Sequence, residues 1–232
     1  MNFQNHCYKT IRTAHYSTFG ELSKKTKYIW FVMHGYGQLA SRIIRKFDIL
    51  DEKDHFVIAP EGLSRFYWHD NNEPVACWMT KQDRYDEIED FTNYLQSLYD
   101  RHCKHVNQNV KIVFFGFSQG CATMWRWIHA KTPRYDILIN WAGWIPEDIS
   151  YLHLKDYLAG KKLYLMYGTD DEFIDESRLQ GIREVIDKNE LIIKISQFRG
   201  GHKIPKEELK AFLEGLGIGS LSLPGRQTGL ER

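Results

Sequence analysis

The residues best suited to chemistry in this sequence surround Ser118, in the segment Gly116-Phe117-Ser118-Gln119-Gly120. This segment follows an apolar run at residues 110–115 and precedes an apolar stretch of helical spacing at 121–130. A sharp turn from strand to helix lifts a serine hydroxyl above the edge of a sheet, and glycines on both sides let neighbouring backbone approach closely. We therefore predict that Ser118 is a nucleophile rather than a serine that only shapes a turn.

A serine hydroxyl is a weak nucleophile at neutral pH and needs a base that a third group orients. Where a nucleophilic serine lies on a turn between a strand and a helix, the triad residues follow in the chain order serine, acid, histidine. The histidines after Ser118 are His129, His153 and His202. His129 lies in the helical stretch behind the serine, and His153 lies in a polar segment. His202 follows two glycines directly after the last apolar run, where a loop can carry its imidazole to the serine. The predicted base is therefore His202.

The acid is expected in the loop after the apolar run at 162–167, where Asp170, Asp171 and Glu172 follow one another. Three successive carboxylates often mark a solvated turn or a helix cap. Their position at the carboxyl end of a strand nevertheless favours one of them as the group that orients the imidazole. We predict Asp171 for this role, with Asp170 as the main alternative.

Acyl transfer to a serine also needs two backbone N–H groups that stabilise the negative oxygen. One donor is expected at Gln119, directly after the nucleophile. The other is expected in the loop His34-Gly35-Tyr36-Gly37, with Tyr36 as the donor. His34 is predicted to orient this loop through hydrogen bonds and to transfer no proton.

The elements that must hold these residues alternate along the chain. Apolar runs predict buried strands at 27–33, 55–59, 110–115, 136–141, 162–167 and 191–198, and a weaker alternation predicts a first strand at 6–13. Helical spacing predicts helices at 41–50, 83–102, 121–130, 176–187 and 205–216, while residues 60–82 are predicted to form an aromatic-rich loop. Continuous apolar strands that alternate with helices indicate an α/β fold, with a mostly parallel central sheet and helices on both faces.

The size of the chain suits one domain. Its 232 residues, 43% of them hydrophobic, can bury a large core. We predict a single domain over residues 1–216. Residues 217–232 show no periodicity, and we predict that they form a flexible tail or an expression remnant.

Charge and cysteine content exclude several classes of protein. The formal net charge is +1 with no long run of one sign, so the charge pattern of a nucleic-acid binder is absent. No stretch is long and apolar enough for stable insertion into a membrane. Four widely spaced cysteines and an N-terminus without an apolar signal segment favour a cytoplasmic protein. No Cys/His spacing indicates a metal site, and a homodimer is compatible with the sequence.

Together these motifs resemble the carboxylesterase and phospholipase family that includes the acyl-protein thioesterases. The matching segments, in family order from about residue 27 to 216, are HGYG at 34–37, AP at 59–60, GFSQG at 116–120, WAGWIP at 141–146, GTDDEFI at 168–174 and GGHKIP at 200–205.

The resemblance implies an α/β-hydrolase fold and a serine esterase that hydrolyses small-molecule esters of short to medium acyl chains, through an acyl-enzyme and without a metal or cofactor. It places the acid at Asp171 and the oxyanion donors at Tyr36 and Gln119. Many members carry an acidic residue after HGxG, whereas this chain has Gln38.

Aromatic residues are expected to contribute to the substrate pocket. Trp68, Trp78 and Trp144 fall in loops near the carboxyl ends of predicted strands, where ligands bind in open α/β sheets. A long apolar tunnel there would favour the alternative function of a lysophospholipase or acyl-protein thioesterase. A non-catalytic binding protein on a hydrolase scaffold is a further alternative, since fold alone does not establish activity.

Overall fold

A computed structural model describes residues 2–68 and 72–218. The strands within these ranges are β1 (Tyr16–Phe19), β2 (Tyr28–Met33), β3 (His55–Pro60), β4 (Ser64–Tyr67), β5 (Pro74–Cys77), β6 (Lys111–Phe117), β7 (Ile137–Trp141), β8 (Lys162–Gly168) and β9 (Ile193–Phe198). The α-helices are α1 (Ala40–Ile43), α2 (Arg84–Cys103), α3 (Gln119–Lys131), α4 (Lys155–Leu158), α5 (Glu176–Lys188) and α6 (Lys206–Gly215). Short 3-10 turns occupy Ile44–Lys46 and Leu152–Leu154.

A seven-stranded sheet in the order β1-β3-β2-β6-β7-β8-β9 forms the centre of the fold. Its strands are parallel except β1, which pairs antiparallel with β3 at one edge. Strands β4 and β5 form a separate antiparallel pair. The mostly parallel sheet predicted from the sequence is thus confirmed.

Alternate residues of the central strands face opposite sides of the sheet, because successive side chains of a strand point to opposite faces. In β2, Ile29 and Phe31 join a core cluster with residues of α2, α3 and α5, whereas Trp30 and Val32 join a second cluster with residues of α1 and α6. The prediction of helices on both faces is therefore confirmed as well.

The predicted strand bounds from 27–33 onward, and four of the five helix predictions, agree with the structure to within two residues. The exception is the helix predicted at 41–50, where only α1 and the 3-10 turn Ile44–Lys46 form. The first strand was wrongly placed at 6–13. Those residues form no strand, and β1 begins at Tyr16. The loop predicted at 60–82 is also wrong in part, since it contains the β4–β5 pair.

The predicted tail begins inside the described range. Ile218 is buried and packs in the cluster with α1 and α6, so the chain stays attached to the fold beyond residue 216. The remainder of the predicted tail, residues 219–232, lies outside the described residues. No helix in the described ranges is both long and apolar enough to cross a bilayer.

Candidate active site

The carboxyl ends of the parallel strands bring the predicted residues to one edge of the sheet. Ser118 follows β6, Asp171 follows β8 and His202 follows β9. The loop that contains Tyr36 follows β2, which is the strand next to β6. Four segments that are far apart in sequence therefore meet beside the end of β6.

Ser118 occupies a strained backbone position, with φ 51° and ψ −118°. Its N–H donates to the carbonyl of Trp141 at 3.0 Å, and its own carbonyl accepts from the N–H of Cys121 at 3.0 Å. These bonds hold the sharp turn between β6 and α3. The turn also needs close packing, because a Cβ at Gly120 would lie 2.2 Å from the carbonyl oxygen of Met33.

A line of hydrogen bonds connects the three residues of the predicted triad. The Nε2 atom of His202 lies 2.9 Å from Oγ of Ser118, and its Nδ1 atom lies 3.0 Å from both carboxylate oxygens of Asp171. The Asp171 side chain is fully buried and also accepts from the backbone N–H of Phe173 at 2.9 Å. Asp170 is exposed, and its carboxylate accepts from the hydroxyl of Thr169 instead. The structure therefore brings together Ser118, His202 and Asp171, and it turns the Asp170 side chain away.

The surroundings of His202 fix its ring. The rings of Phe117 and Phe173 lie with their centroids 5.1 and 4.6 Å from that of the imidazole. The loop that carries His202 is tied to the acid loop, since the N–H of Asp170 donates to the carbonyl of Gly200 at 2.9 Å. By contrast His129 and His153 pack against each other, with ring centroids 4.9 Å apart, and neither lines the cavity described below.

The loop after β2 is held from two sides. The side-chain oxygen of Gln38 accepts from the N–H of Gly35 at 3.1 Å, and the N–H of Gly37 donates to the carbonyl of Ala76 in β5 at 3.0 Å. Among the described residues, no acceptor is found for the N–H of Tyr36. The Gln38 side chain thus supports the loop that presents Tyr36.

His34 is fully buried at the base of this loop. Its Nδ1 atom lies 2.7 Å from the carbonyl oxygen of Gly35, and its Nε2 atom accepts from the N–H of Gly62 at 2.9 Å. Burial lowers the pKa of the imidazole to about 4, against the opposing effects of the Gly35 carbonyl and the Glu61 carboxylate. His34 is therefore neutral near pH 7, and both ring nitrogens are engaged in orienting backbone.

The predicted pocket residue Trp78 has a different position. It is buried, stacks on His34 and donates from its indole N–H to the carbonyl of His34 at 2.9 Å. Its backbone N–H donates to the side-chain oxygen of Gln119 at 3.0 Å, and the Gln119 amide donates to the carbonyl of Met79 at 2.8 Å. Trp78 thus belongs to the framework that positions Gln119 and is not among the described residues that line the cavity.

A cavity of about 780 Å³ opens above Ser118. Trp68 and Trp144, both predicted to line a pocket, do line it, as do Tyr36 and Gln119. Several lining residues were not predicted from the sequence; those with charged or aromatic side chains are Lys81, Arg84, Arg126, Glu147, Asp148, Phe173 and Arg178. The spacing of Arg126, eight residues after Ser118 on one helix, is the signal that could have identified one of them.

The sequence from residue 19 to 218 matches the model of the phospholipase/carboxylesterase family. The chain belongs to this family. Membership makes it a hydrolase of the esterase type, as the motifs indicated. No curated protein matches the sequence significantly.

Solved structures agree on the fold. Acyl-protein thioesterase 2 of Zea mays is 14% identical and superposes with a TM-score of 0.69, over 89% of this chain and 99% of that one. The carboxylesterase of Bacillus cereus is 15% identical, with a TM-score of 0.63 over 88% and 94% of the two chains. The predicted α/β-hydrolase fold is thereby confirmed.

Proposed function

We propose that the protein is a serine esterase that hydrolyses carboxylic esters of short to medium acyl chains through an acyl-enzyme. The observation that carries this proposal is the hydrogen-bonded line from Asp171 through His202 to Ser118, which ends at a hydroxyl beside an open cavity. Family membership supplies the reaction type, ester hydrolysis.

The first half of the reaction forms the acyl-enzyme. Ser118 Oγ attacks the ester carbonyl while its proton passes to Nε2 of His202. Asp171 accepts the Nδ1–H bond, which fixes the tautomer and stabilises the imidazolium. When the tetrahedral intermediate collapses, the bond to the alcohol oxygen breaks, and His202 returns the proton to the leaving alcohol.

The negative oxygen of the intermediate is placed between the N–H groups of Tyr36 and Gln119. Two features support this assignment: the Tyr36 loop and the Gln119 side chain are each anchored by hydrogen bonds, and both residues line the cavity. Donors held in place before reaction need no reorganisation as charge develops. In the second half, water attacks the acyl carbon and gives its proton to His202; the bond from the acyl carbon to Oγ of Ser118 then breaks, His202 returns the proton to Oγ, and the carboxylic acid is released.

The chemistry of the cavity wall supports short or medium acyl chains. Aromatic side chains form part of the lining, but four basic and two acidic residues interrupt it. A long alkyl chain would have to cover charged groups that then lose their hydration. The lining thus gives less support to the alternative of a lysophospholipase or acyl-protein thioesterase.

Substitution of the nucleophile tests the proposal. Ser118→Ala removes the attacking oxygen, and we expect kcat for 4-nitrophenyl butyrate to fall by at least about a thousandfold. Ser97→Ala is a matched control, because Ser97 is an exposed residue of α2 whose hydroxyl donates to the carbonyl of Asn93. Circular dichroism should show both variants folded.

A fluorophosphonate probe provides an independent measurement. It should label the wild type and Ser97→Ala, and fail to label Ser118→Ala. An unlabelled, inactive wild type would instead favour a binding protein on a hydrolase scaffold. Across 4-nitrophenyl esters from acetate to palmitate, the highest kcat/KM is expected at short or medium chains, and a maximum at palmitate would favour the lysophospholipase alternative.

A further inference from the structure

One face of α3 leads from the nucleophile to a buried arginine. Ser118, Ala122 and Arg126 are spaced four residues apart, so they lie on one side of the helix, and all three line the cavity. Eight residues of helix span about 12 Å. Helical side chains lean toward the helix N-terminus, which is the end of α3 that Ser118 precedes. The small Ala122 leaves space between Ser118 and Arg126.

Arg126 is almost completely buried, with its side chain only 5% exposed. Its Nη2 atom donates to both oxygens of Asp148, at 2.6 and 2.9 Å. Arg84, at the start of α2, donates to the same carboxylate at 2.5 Å. Two guanidinium groups therefore converge on one carboxylate inside the cavity.

Arg84 and Arg126 carry more N–H donors than the Asp148 carboxylate can accept. The Nε atoms of Arg84 and Arg126 are both buried and have no hydrogen-bond partner within the described ranges. A guanidinium carries five N–H donors and stays charged at all relevant pH values. Burial raises the pKa of Asp148, but the bond from Arg126 and the charges of both arginines outweigh this and lower it below its usual value. The carboxylate is therefore ionised and supplies one negative charge against two positive charges.

The excess charge is costly mainly at Arg126, because a buried charge needs full compensation, whereas the side chains of Arg84 and Asp148 are each about one third exposed. The Glu147 carboxylate does not offset this excess positive charge, because it pairs with Arg178 at 3.3 Å. Arg178 also stacks over the ring of Trp144. A second anion placed beside Asp148 would neutralise the excess charge and could use the remaining N–H donors. Guanidinium groups match carboxylate and phosphate oxygens in geometry.

We propose that Arg84 and Arg126 form a subsite for an anionic group of the substrate, a carboxylate or a phosphate several bonds away from the ester that Ser118 attacks. This inference rests on the proposed esterase function and names its substrate class, anionic esters. Asp148 accepts hydrogen bonds from both arginines, so it competes with a bound anion for their charge and donors.

Matched pairs of esters test the subsite. The 4-nitrophenyl monoesters of adipic and suberic acid carry a free distal carboxylate, and their distal methyl esters are neutral counterparts with the same leaving group. A third series ends in phosphate, so that the preferred anion is identified. Hydrogen bonds to charged groups predict that kcat/KM of the wild type is about tenfold to a hundredfold higher for the better anion than for the neutral ester.

Two variants should change this ratio in opposite directions. Arg126→Met removes a positive charge but keeps most of the side-chain volume, and should bring the ratio close to one. Asp148→Asn removes the competing negative charge and should raise the ratio above that of the wild type. Arg183→Met is the matched control, because Arg183 is half exposed on α5, pairs with Glu176 and does not line the cavity. Its ratio should equal that of the wild type.

The measurements separate this inference from the proposed function. Hydrolysis of the neutral esters reports the triad, whereas the ratio of anionic to neutral ester reports the subsite. If Arg126→Met does not fold, Arg84→Met, at a partly exposed position, supplies the same test. Wild-type activity with no preference for anions, or a ratio that does not rise in Asp148→Asn, would overturn the subsite and leave the esterase proposal standing.

Discussion

The conformation of Ser118 shows how much of the site depends on single residues. A positive φ costs a non-glycine residue about 1–3 kcal/mol and persists only where the surroundings hold it. Here the hydrogen bonds to Trp141 and Cys121 hold the turn, and α3 packs against β2 at Gly120, where no side chain fits. In this conformation Oγ of Ser118 lies 2.9 Å from Nε2 of His202.

The two adjacent aspartates allow a matched comparison at the scale of one residue. In Asp171→Asn the imidazole loses the partner that fixes its tautomer and stabilises its charge. We therefore expect kcat to fall by about ten-thousandfold. In Asp170→Asn only the bond from the Thr169 hydroxyl changes, and kcat should stay within a few-fold of the wild type. Steady-state hydrolysis of 4-nitrophenyl butyrate measures both variants. A larger loss of kcat in Asp170→Asn than in Asp171→Asn would show that Asp171 is not the acid of the triad.

At the scale of elements, the central strands and the large helices were predictable because their patterns are local. A continuous apolar run such as the one in β6 is typical of a strand buried on both faces. Strands β1 and β4 lack that signal. Their residues alternate between half-buried and exposed, and what makes each a strand is its pairing with β3 or β5. The apolar pattern within one segment does not specify which other segment it pairs with.

The same distinction applies to the site. Ser118, Asp171 and His202 lie in short motifs at the ends of strong strands, so they could be proposed from the sequence. Trp78 could not be placed correctly from the sequence. An aromatic residue of a loop can face a cavity or pack beneath it, and here the choice depends on the β4–β5 pair and on the stacking of Trp78 against His34. The pairing of Arg126 with Asp148 likewise joins a helix to a distant loop.

The contact between α3 and β2 leads to a prediction at the scale of elements. In Gly120→Ala the new Cβ would meet the carbonyl oxygens of Met33 and His34 at 2.2 and 2.8 Å. Backbone must move to relieve this, so we expect a loss of about 1–3 kcal/mol in the free energy of unfolding. Esterase activity should fall as well, because the displaced backbone carries both the nucleophile and the oxyanion loop.

Gly181→Ala is the control for that substitution. Gly181 lies within α5, and the nearest atom that its Cβ would meet is a carboxylate oxygen of Glu147 at 3.8 Å. Alanine at this position should raise the free energy of unfolding by about 0.5–1 kcal/mol, because glycine is the poorer helix former. Urea denaturation and ester hydrolysis measure both variants. Equal stability of the two would contradict the close packing inferred at Gly120.

At the scale of the whole molecule, the stability of the fold should depend on pH through His34. Burial lowers the pKa of its imidazole to about 4 in the folded protein, whereas the pKa of an exposed histidine is about 6.5. Between these values the unfolded chain binds a proton that the folded protein does not. The free energy of unfolding therefore falls as pH falls from about 6.5 to about 4, and this contribution is fully present above about 6.5.

A comparison of histidine variants isolates that contribution. The difference between the two pKa values corresponds to about 3 kcal/mol over the whole window. His34→Asn lowers stability at neutral pH because it loses the bond from the Gly62 N–H, but its Tm should fall less steeply between pH 6.5 and 4.5 than that of the wild type. His105→Asn changes an exposed histidine and should keep the wild-type slope. Equal slopes in His34→Asn and the wild type would mean that His34 is protonated without unfolding, which is incompatible with its Nε2 atom accepting a hydrogen bond from Gly62 in the folded loop.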